Sequence, residues 1–218
     1  MRISIIIPTL NEEENIGRTL KALMRERPFE IIVVDANSTD NTVQIARKYA
    51  RVIRSSKGRA RQMNAGARIA RGDLLLFLHS DTILPRGALK LIPEDAEVAA
   101  FRIRFDLDHW LLRATAWWSN NIRLRRGIVF GDHAFAIRKS LFEKLGGFKN
   151  LCILEDLEFS KRLRKRAKVR IIDAKVMTSS RRYVKRGVLK QWLINQYVKL
   201  LYFLGFDCKT IRSVYEKL

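Results

Sequence analysis

The stretch LLLFLHSDT, residues 74–82, sets five apolar residues in a row and then delivers His79, Ser80 and Asp81. A strand with one face in water alternates apolar and polar side chains. An unbroken apolar run reads instead as buried on both faces, like a central strand of a parallel sheet. Such a strand presents Asp81 at its carboxyl end, the edge where open parallel sheets bind ligands.

The same plan precedes it. ISIII (3–7) forms a short apolar strand closed by Pro8. LNEEENIGRTLKALMRE (10–26) then puts Ile16, Leu20, Leu23 and Met24 at helical spacing. Its glutamates sit in the first turn, where the helix dipole favours them. EIIVVDANSTD (30–40) repeats the strand, polar turn and helix start, with Asp40 a good N-cap. ARVIRSS (50–56) is a third strand, and GRARQMNAGARIARG (58–72) a third helix stopped by Gly72. Strand–helix alternation with short connections implies an α/β fold with a doubly wound, mostly parallel central sheet flanked by helices. Thr9, Asn11, Asp35, Ser38 and Asp81 then share one edge.

After residue 95 the rhythm changes. AEVAAFRIRFDL (96–107) predicts a longer strand, and HWLLRATAWWSNNIRLRRG (109–127) a helix rich in Trp and Arg. GDHAFAIRKSLFEKLGGF (131–148) gives a strand, a short helix and a Gly-Gly turn, and LEDLEFSKRLRKRA (154–167) a helix. A strand at KVRIID (168–173) and a long helix at GVLKQWLINQYVKLLYFLG (187–205) follow. The organisation is one domain: residues 1–95 as a nucleotide-binding half, 96–183 as an acceptor and catalytic half, and 184–218 as C-terminal helices.

With 218 residues, 47% hydrophobic and 30% charged, the chain can bury a core of its own. Cys152 and Cys208 are too few and too scattered for a disulfide framework or a metal knuckle, and read as reduced structural thiols. The apolar run before Pro8 falls short of the about 7–15 residues of a signal peptide. The stretch near LLYFLGF (200–206) falls short of the about 18 of a spanning helix. The expected location is cytoplasmic, or peripheral on the inner face of the cell membrane. The net charge of +21 attracts polyanions, whether nucleic acid, anionic lipid headgroups or phosphorylated substrates.

Five segments in order, IIIPTLNEEENI, IIVVDANSTDNT, GRARQMNAGARIARGDLLLFLHSDT, GGF and LEDLEFSKRLRKR, resemble the inverting family 2 glycosyltransferases of the GT-A fold. The resemblance covers roughly residues 3–166. GRARQMNAGA, GDHAFAIRKSLFEKLGGF and TSSRRYVKRGVLKQWLIN also look like a small bacterial and archaeal subgroup of these enzymes. It implies transfer of a sugar from a nucleoside-diphosphate sugar to an acceptor hydroxyl with inversion, assisted by Mg²⁺ or Mn²⁺.

Carried over residue by residue, the resemblance gives roles beside the ordinary ones. Pro8, Thr9, Asn11 and Glu12 line base and ribose, or form a strand-to-helix turn. Asp35 accepts a ring N–H of the base, with Ser38 beside it. Gly58, Arg59, Arg61 and Asn64 approach the diphosphate, or lie on an amphipathic helix with solvated arginines. Where the family carries Asp-x-Asp, this chain has His79-Ser80-Asp81. Asp81 keeps the metal position, completed by phosphate oxygens and water, or else caps its turn. Asp132 and His133 approach the diphosphate or acceptor, His133 as a metal ligand or as a hydrogen-bonded structural residue. Gly146, Gly147 and Phe148 lie under the acceptor. Asp156 is the base that deprotonates the acceptor hydroxyl, with Glu155 oriented otherwise or paired with Arg162. Arg181 and Arg182 close over the diphosphate.

The helix at 187–204 has a broad apolar arc headed by Lys185, Arg186 and Lys190, and Trp110, Trp117 and Trp118 mark another basic helix. These read as an interfacial patch on anionic membrane serving a lipid-linked acceptor, or as core packing. Two further readings compete. A nucleotidyltransferase would need a Gly-rich loop where this chain has PTLNEE. A basic nucleic-acid-binding protein would leave Asp35, Asp81 and Asp156 without a task, so no nucleic-acid partner is expected.

Overall fold

The computed structural model describes residues 1–218. β1 (Ile3–Thr9), β2 (Glu30–Asp35), β3 (Arg51–Arg54) and β4 (Leu74–Phe77) alternate with α1 (Glu13–Met24), α2 (Thr42–Ala46) and α3 (Arg59–Ile69). Next come β5 (Thr82–Ile83), β6 (Val98–Phe105), α4 (Trp110–Trp118), β7 (Ala136–Arg138) and α5 (Lys139–Lys144). α6 (Glu155–Leu163), β8 (Arg170–Thr178), α7 (Arg181–Arg186), α8 (Val188–Phe203) and α9 (Cys208–Lys217) complete the chain.

One sheet of eight strands has the order β3-β2-β1-β4-β7-β6-β8-β5. β1 is parallel to β2 and β4, β2 to β3, and β6 to β8. β7 reverses between β4 and β6, and β5 reverses against β8. The alternating strand residues bury both faces. Ile5, Ile7, Val33 and Leu76 pack toward α1 and α2 in one cluster of 24 buried residues. Ile6, Ile32, Val34 and Phe77 pack toward α3 and α6 in another of 20. Both clusters draw residues from either side of position 95.

Two expectations change here. Pro8 does not close β1, which continues to Thr9 in register with Asp35. Ile6 accepts from the Leu78 amide, and Pro8 faces the same side two residues on, where β4 has ended and no ladder donor is needed. The two cysteines, distant in sequence, meet in space, with Sγ atoms 2.8 Å apart. They join the loop before α6 to the start of α9.

The Trp-rich helix is also shorter than its composition suggests. After α4 it widens into one π-helical turn over Ser119–Arg123. That turn points two successive polar residues inward. Asn120 closes a reciprocal pair with the backbone of Ile103, at 2.8 and 2.9 Å, and Ser119 reaches His133.

Candidate active site

Asp35 ends β2 fully buried. A buried carboxylate has to be hydrogen-bonded, and here it accepts from the Ser38 amide at 2.9 Å, the Ser38 hydroxyl at 2.5 Å and Thr9 Oγ1 at 3.4 Å. Asn11, with φ +52°, donates its amide to Ser38 Oγ at 2.9 Å and accepts from the Thr39 amide at 2.9 Å. The polar turns after β1 and β2 are thus tied together. Asp40 acts as a cap, accepting from the Thr42 and Glu13 amides at 3.0 and 3.1 Å.

Gln62 was not singled out by the sequence, yet it positions this edge. Buried on α3, it donates to the carbonyls of Thr9 and Val34 at 2.9 and 2.8 Å, just where β1 and β2 finish. A mid-helix glutamine carries no sequence signal for that task. Ser80 is buried, and its carbonyl accepts from Thr19 Oγ1 at 2.7 Å, which fixes the turn that holds Asp81.

The second half of the site forms where β4, the turn before β7 and the start of α6 converge. His79 Nδ1 lies 3.1 Å from Asp132 Oδ1. Gly131, next to Asp132, permits this approach, because a Cβ there would meet His79 Nε2 at 2.0 Å. The Gly131 amide donates to Asp156 Oδ2 at 3.3 Å, and the Leu157 amide to Asp156 Oδ1 at 2.8 Å.

These contacts set the acidities. Desolvation and the neighbouring Glu155 charge push the Asp156 carboxyl up to about 7, against the pull of the Gly131 amide and Arg59. Desolvation also acts to raise Asp132, but the His79 hydrogen bond and charge, with Arg59, outweigh it and hold Asp132 at about 2. Two carboxyls of one cluster are therefore driven apart, one toward a proton acceptor at neutral pH and one toward permanent charge. Desolvation opposes the charge of Arg59, yet Glu155, Asp156, Asp132 and Asp81 together raise its pKa. It is the cation these acids share.

Arg181 closes the ring from α7. Its guanidinium pairs with Glu12 and stands 3.4 Å from Asp81 Oδ2. A chain of contacts therefore runs from Asp35 through Ser38 and Asn11 to Glu12, Arg181 and Asp81. Arg182 is exposed and points to Tyr215.

Several expected site residues do other work. His133 is fully buried, and both its ring nitrogens are engaged: Nδ1 accepts from the Phe130 amide at 3.0 Å, and Nε2 lies 3.2 Å from Ser119 Oγ. Burial pushes its pKa down to about 4. That neutral, internally satisfied ring is a correction to the metal-ligand assignment. Asn64 exchanges two bonds with the backbone of Phe148, at 2.8 and 2.9 Å, and so fastens the Gly-Gly-Phe turn to α3. Phe148 itself is buried, 4.6 Å from Phe159 and 5.1 Å from Phe77 between ring centroids, so its side chain belongs to the core. Gly147 takes φ +64°, and a Cβ on it would lie 2.7 Å from Asn64 Oδ1; Gly146 is exposed. Arg61 donates to Asn150 at 2.8 Å, and Gly58 is the N-cap of α3. Glu155 is buried, and the partner of Arg162 is Glu158, at 2.7 Å.

As a metal site, the protein supplies one carboxylate. No group of three or more His, Cys, Asp or Glu side chains is placed to hold an ion. Asp81, with its side chain 18% exposed, is a hard oxygen donor of the kind that takes a divalent cation together with substrate phosphates.

A parallel four-strand half joined to a mixed half in which β7 and β5 run reversed, with acids at the strand ends, defines the GT-A fold. The chain belongs to glycosyl transferase family 2, whose family model matches residues 4–146. It is 33% identical over 102 residues to the poly(ribitol-phosphate) beta-N-acetylglucosaminyltransferase TarS of Staphylococcus aureus, covering 41% of this chain and 18% of TarS. To the probable glycosyltransferase YdaM of Bacillus subtilis it is 29% identical over 200 residues, covering 74% of this chain and 46% of YdaM. The chain thus spans less than half the length of either curated relative. Among solved structures, S. aureus TarS superposes with a TM-score of 0.68 at 23% identity, over 82% of this chain and 37% of that one. The mannosyltransferase PcManGT of Pyrobaculum calidifontis, in complex with GDP-Man and Mn²⁺, gives 0.66 at 18% identity, over 99% and 68%.

Proposed function

We propose that the protein transfers a sugar from a nucleoside-diphosphate sugar to an acceptor hydroxyl with inversion, by a single displacement. Asp156 takes the acceptor proton, the acceptor oxygen bonds to the anomeric carbon, and the bond from that carbon to the diphosphate oxygen breaks. The observation that carries this reading is the Asp156 carboxyl. It is oriented by two backbone amides, raised to about 7, and set in the field of Arg59 together with Asp81. A base poised near the working pH is most effective at proton removal.

Asp35, the Asn11–Ser38 turn and Thr9 are read as the nucleoside side, and Arg59 and Arg181 as the diphosphate side. Asp132, Glu155 and the Gly146–Gly147 turn are read as the acceptor side. Asp81 would hold a Mg²⁺ or Mn²⁺ ion, which when bound neutralises charge on the departing diphosphate. Support for a nucleotide-sugar donor comes from the TarS complex with UDP-GlcNAc and the PcManGT complex with GDP-Man. An open cavity of about 490 Å³ lined by Asp106, Leu107, Ser179, Ser180, Arg181, Val184 and Lys185 suits a bulky, lipid-linked acceptor.

A thermal-shift screen of UDP-, GDP- and dTDP-sugars with and without Mn²⁺ tests the proposal. One donor class should stabilise the protein, more so with metal. Stabilisation by none of them, with release of no nucleoside diphosphate, overturns it.

A further inference from the structure

α8 carries a broad apolar arc, of which only one side is covered. Ile194, Val198 and Leu201 turn inward and pack with Ile211 of α9. At about 100° per residue, Leu189, Leu193, Tyr197, Leu200 and Leu204 form a second stripe beside the first, rotated from it by about a quarter turn. All five are exposed, from 47% at Tyr197 to 64% at Leu204. α4 packs against α8 and turns Trp110, Trp117 and Trp118 to solvent. Of the sixteen exposed large apolar side chains in the molecule, eleven lie on α4, α7, α8 and the turn after α8. Apolar residues scattered singly need no explanation, but this concentration marks a contact surface.

We propose that this surface docks the protein onto an anionic lipid bilayer. Between His109 and Gly131 there are four arginines and no acid. From Arg181 to Phe206 there are six Lys and Arg and again no acid. A second copy of the chain would bring the same +21 charge to the contact. A nucleic acid would meet the charge but leave the leucines against phosphate and water. A bilayer with acidic headgroups satisfies both features: the leucines enter the acyl boundary, the tryptophans rest at headgroup depth and the basic side chains meet the lipid phosphates. The mean plane of such a helix lies on the membrane, which suits α8, since no helix here is long and apolar enough to cross one. The docking surface also leads toward the site, because the cavity that starts at Arg181 ends at Val184 and Lys185 on α7, just before the stripe.

This inference goes beyond the transferase reading, and its test involves no turnover. Purified protein is floated with vesicles of phosphatidylcholine alone or mixed with phosphatidylglycerol, at low and physiological salt. Its mass in solution is measured without lipid. Flotation is expected with the anionic vesicles and much less with the neutral ones. The doubly substituted Leu193→Glu/Leu200→Glu protein, altered only at exposed positions and checked for native circular dichroism, should lose on the order of tenfold or more of its binding. Absence of flotation with anionic vesicles overturns the proposal, as does flotation that the double substitution leaves intact. A lipid-free dimer dispersed by the same substitutions would assign the face to a second copy instead. RNA binding lost in the double variant without vesicle binding would assign it to nucleic acid.

Discussion

Arg181 stands 3.4 Å from Asp81 while its guanidinium also pairs with Glu12, so one side chain from the C-terminal helices spans both acids at the sheet edge. Asp81→Ala should remove the metal-dependent part of donor binding, and Arg181→Ala should weaken binding of the diphosphate with or without metal. Calorimetric titration with a nucleoside diphosphate, in Mn²⁺ and in chelator, separates the two. An Asp81→Ala protein that keeps its full Mn²⁺ dependence would rule out the metal role.

Asp156, raised to about 7 in the free protein, predicts a rising limb of kcat/KM against pH centred near that value. Asp156→Asn should lower kcat by about 10²–10⁴-fold with donor affinity nearly unchanged. The limb should vanish with it. Turnover at the wild-type level would remove Asp156 as the base.

Gly131→Ala sets a methyl group against the His79 ring, with a contact of 2.0 Å that the ring can relieve only by leaving Asp132. Overpacking of this kind costs about 1–3 kcal/mol, measurable by urea unfolding. Activity should fall further than stability, because the Gly131 amide also orients Asp156.

His133 and Asp156 act in opposite senses on acid sensitivity, since the raised Asp156 carboxyl takes up its proton first in the folded chain. The His133 pKa is lowered from 6.5 to about 4 by burial. As pH falls below about 6.5 the unfolded chain takes up the His133 proton first, so its contribution to stability declines down to about pH 4, by up to about 3 kcal/mol. Above 6.5 the ring is neutral in both states and contributes no slope. His133→Asn, which can still accept from the Phe130 amide, should remove that contribution and leave the opposing one of Asp156, so unfolding free energy should rise as pH falls over that window; a slope unchanged from the wild type would place the titrating group elsewhere.

Cys152 and Cys208 should cross-link under a mild disulfide oxidant, each thiol losing its proton and the oxidant leaving as two thiols. Mass spectrometry after alkylation, with and without the oxidant, would show the protected pair. Full alkylation in both samples would contradict the observed proximity.

The fold was legible wherever one signal dominated. Apolar runs such as residues 74–78 mark buried strands, and Thr9 and Asp35 share the edge that strand–helix alternation implies. Asp35, Asp81 and Asp156 stand out through the family resemblance, because acids at strand ends and helix starts otherwise read as caps and dipole partners. What the sequence hid depends on long-range contact. Nothing local distinguishes Asn64, a latch, from an asparagine that touches substrate. His133 reads equally as a ligand or as a hydrogen-bonded structural residue until both its nitrogens are found engaged by Phe130 and Ser119. The Cys152–Cys208 approach requires α9 to fold back, and α9 lies past the last segment whose pattern was read.

The side-chain amide of Asn64 imitates a strand neighbour, giving and taking one bond with Phe148 as a peptide would. It fastens α3 to the Gly-Gly-Phe turn that precedes α6 and Asp156. On the opposite wall Arg181 is tethered to Glu12 and Asp81 by ion pairs alone, which salt or a bound anion can compete away.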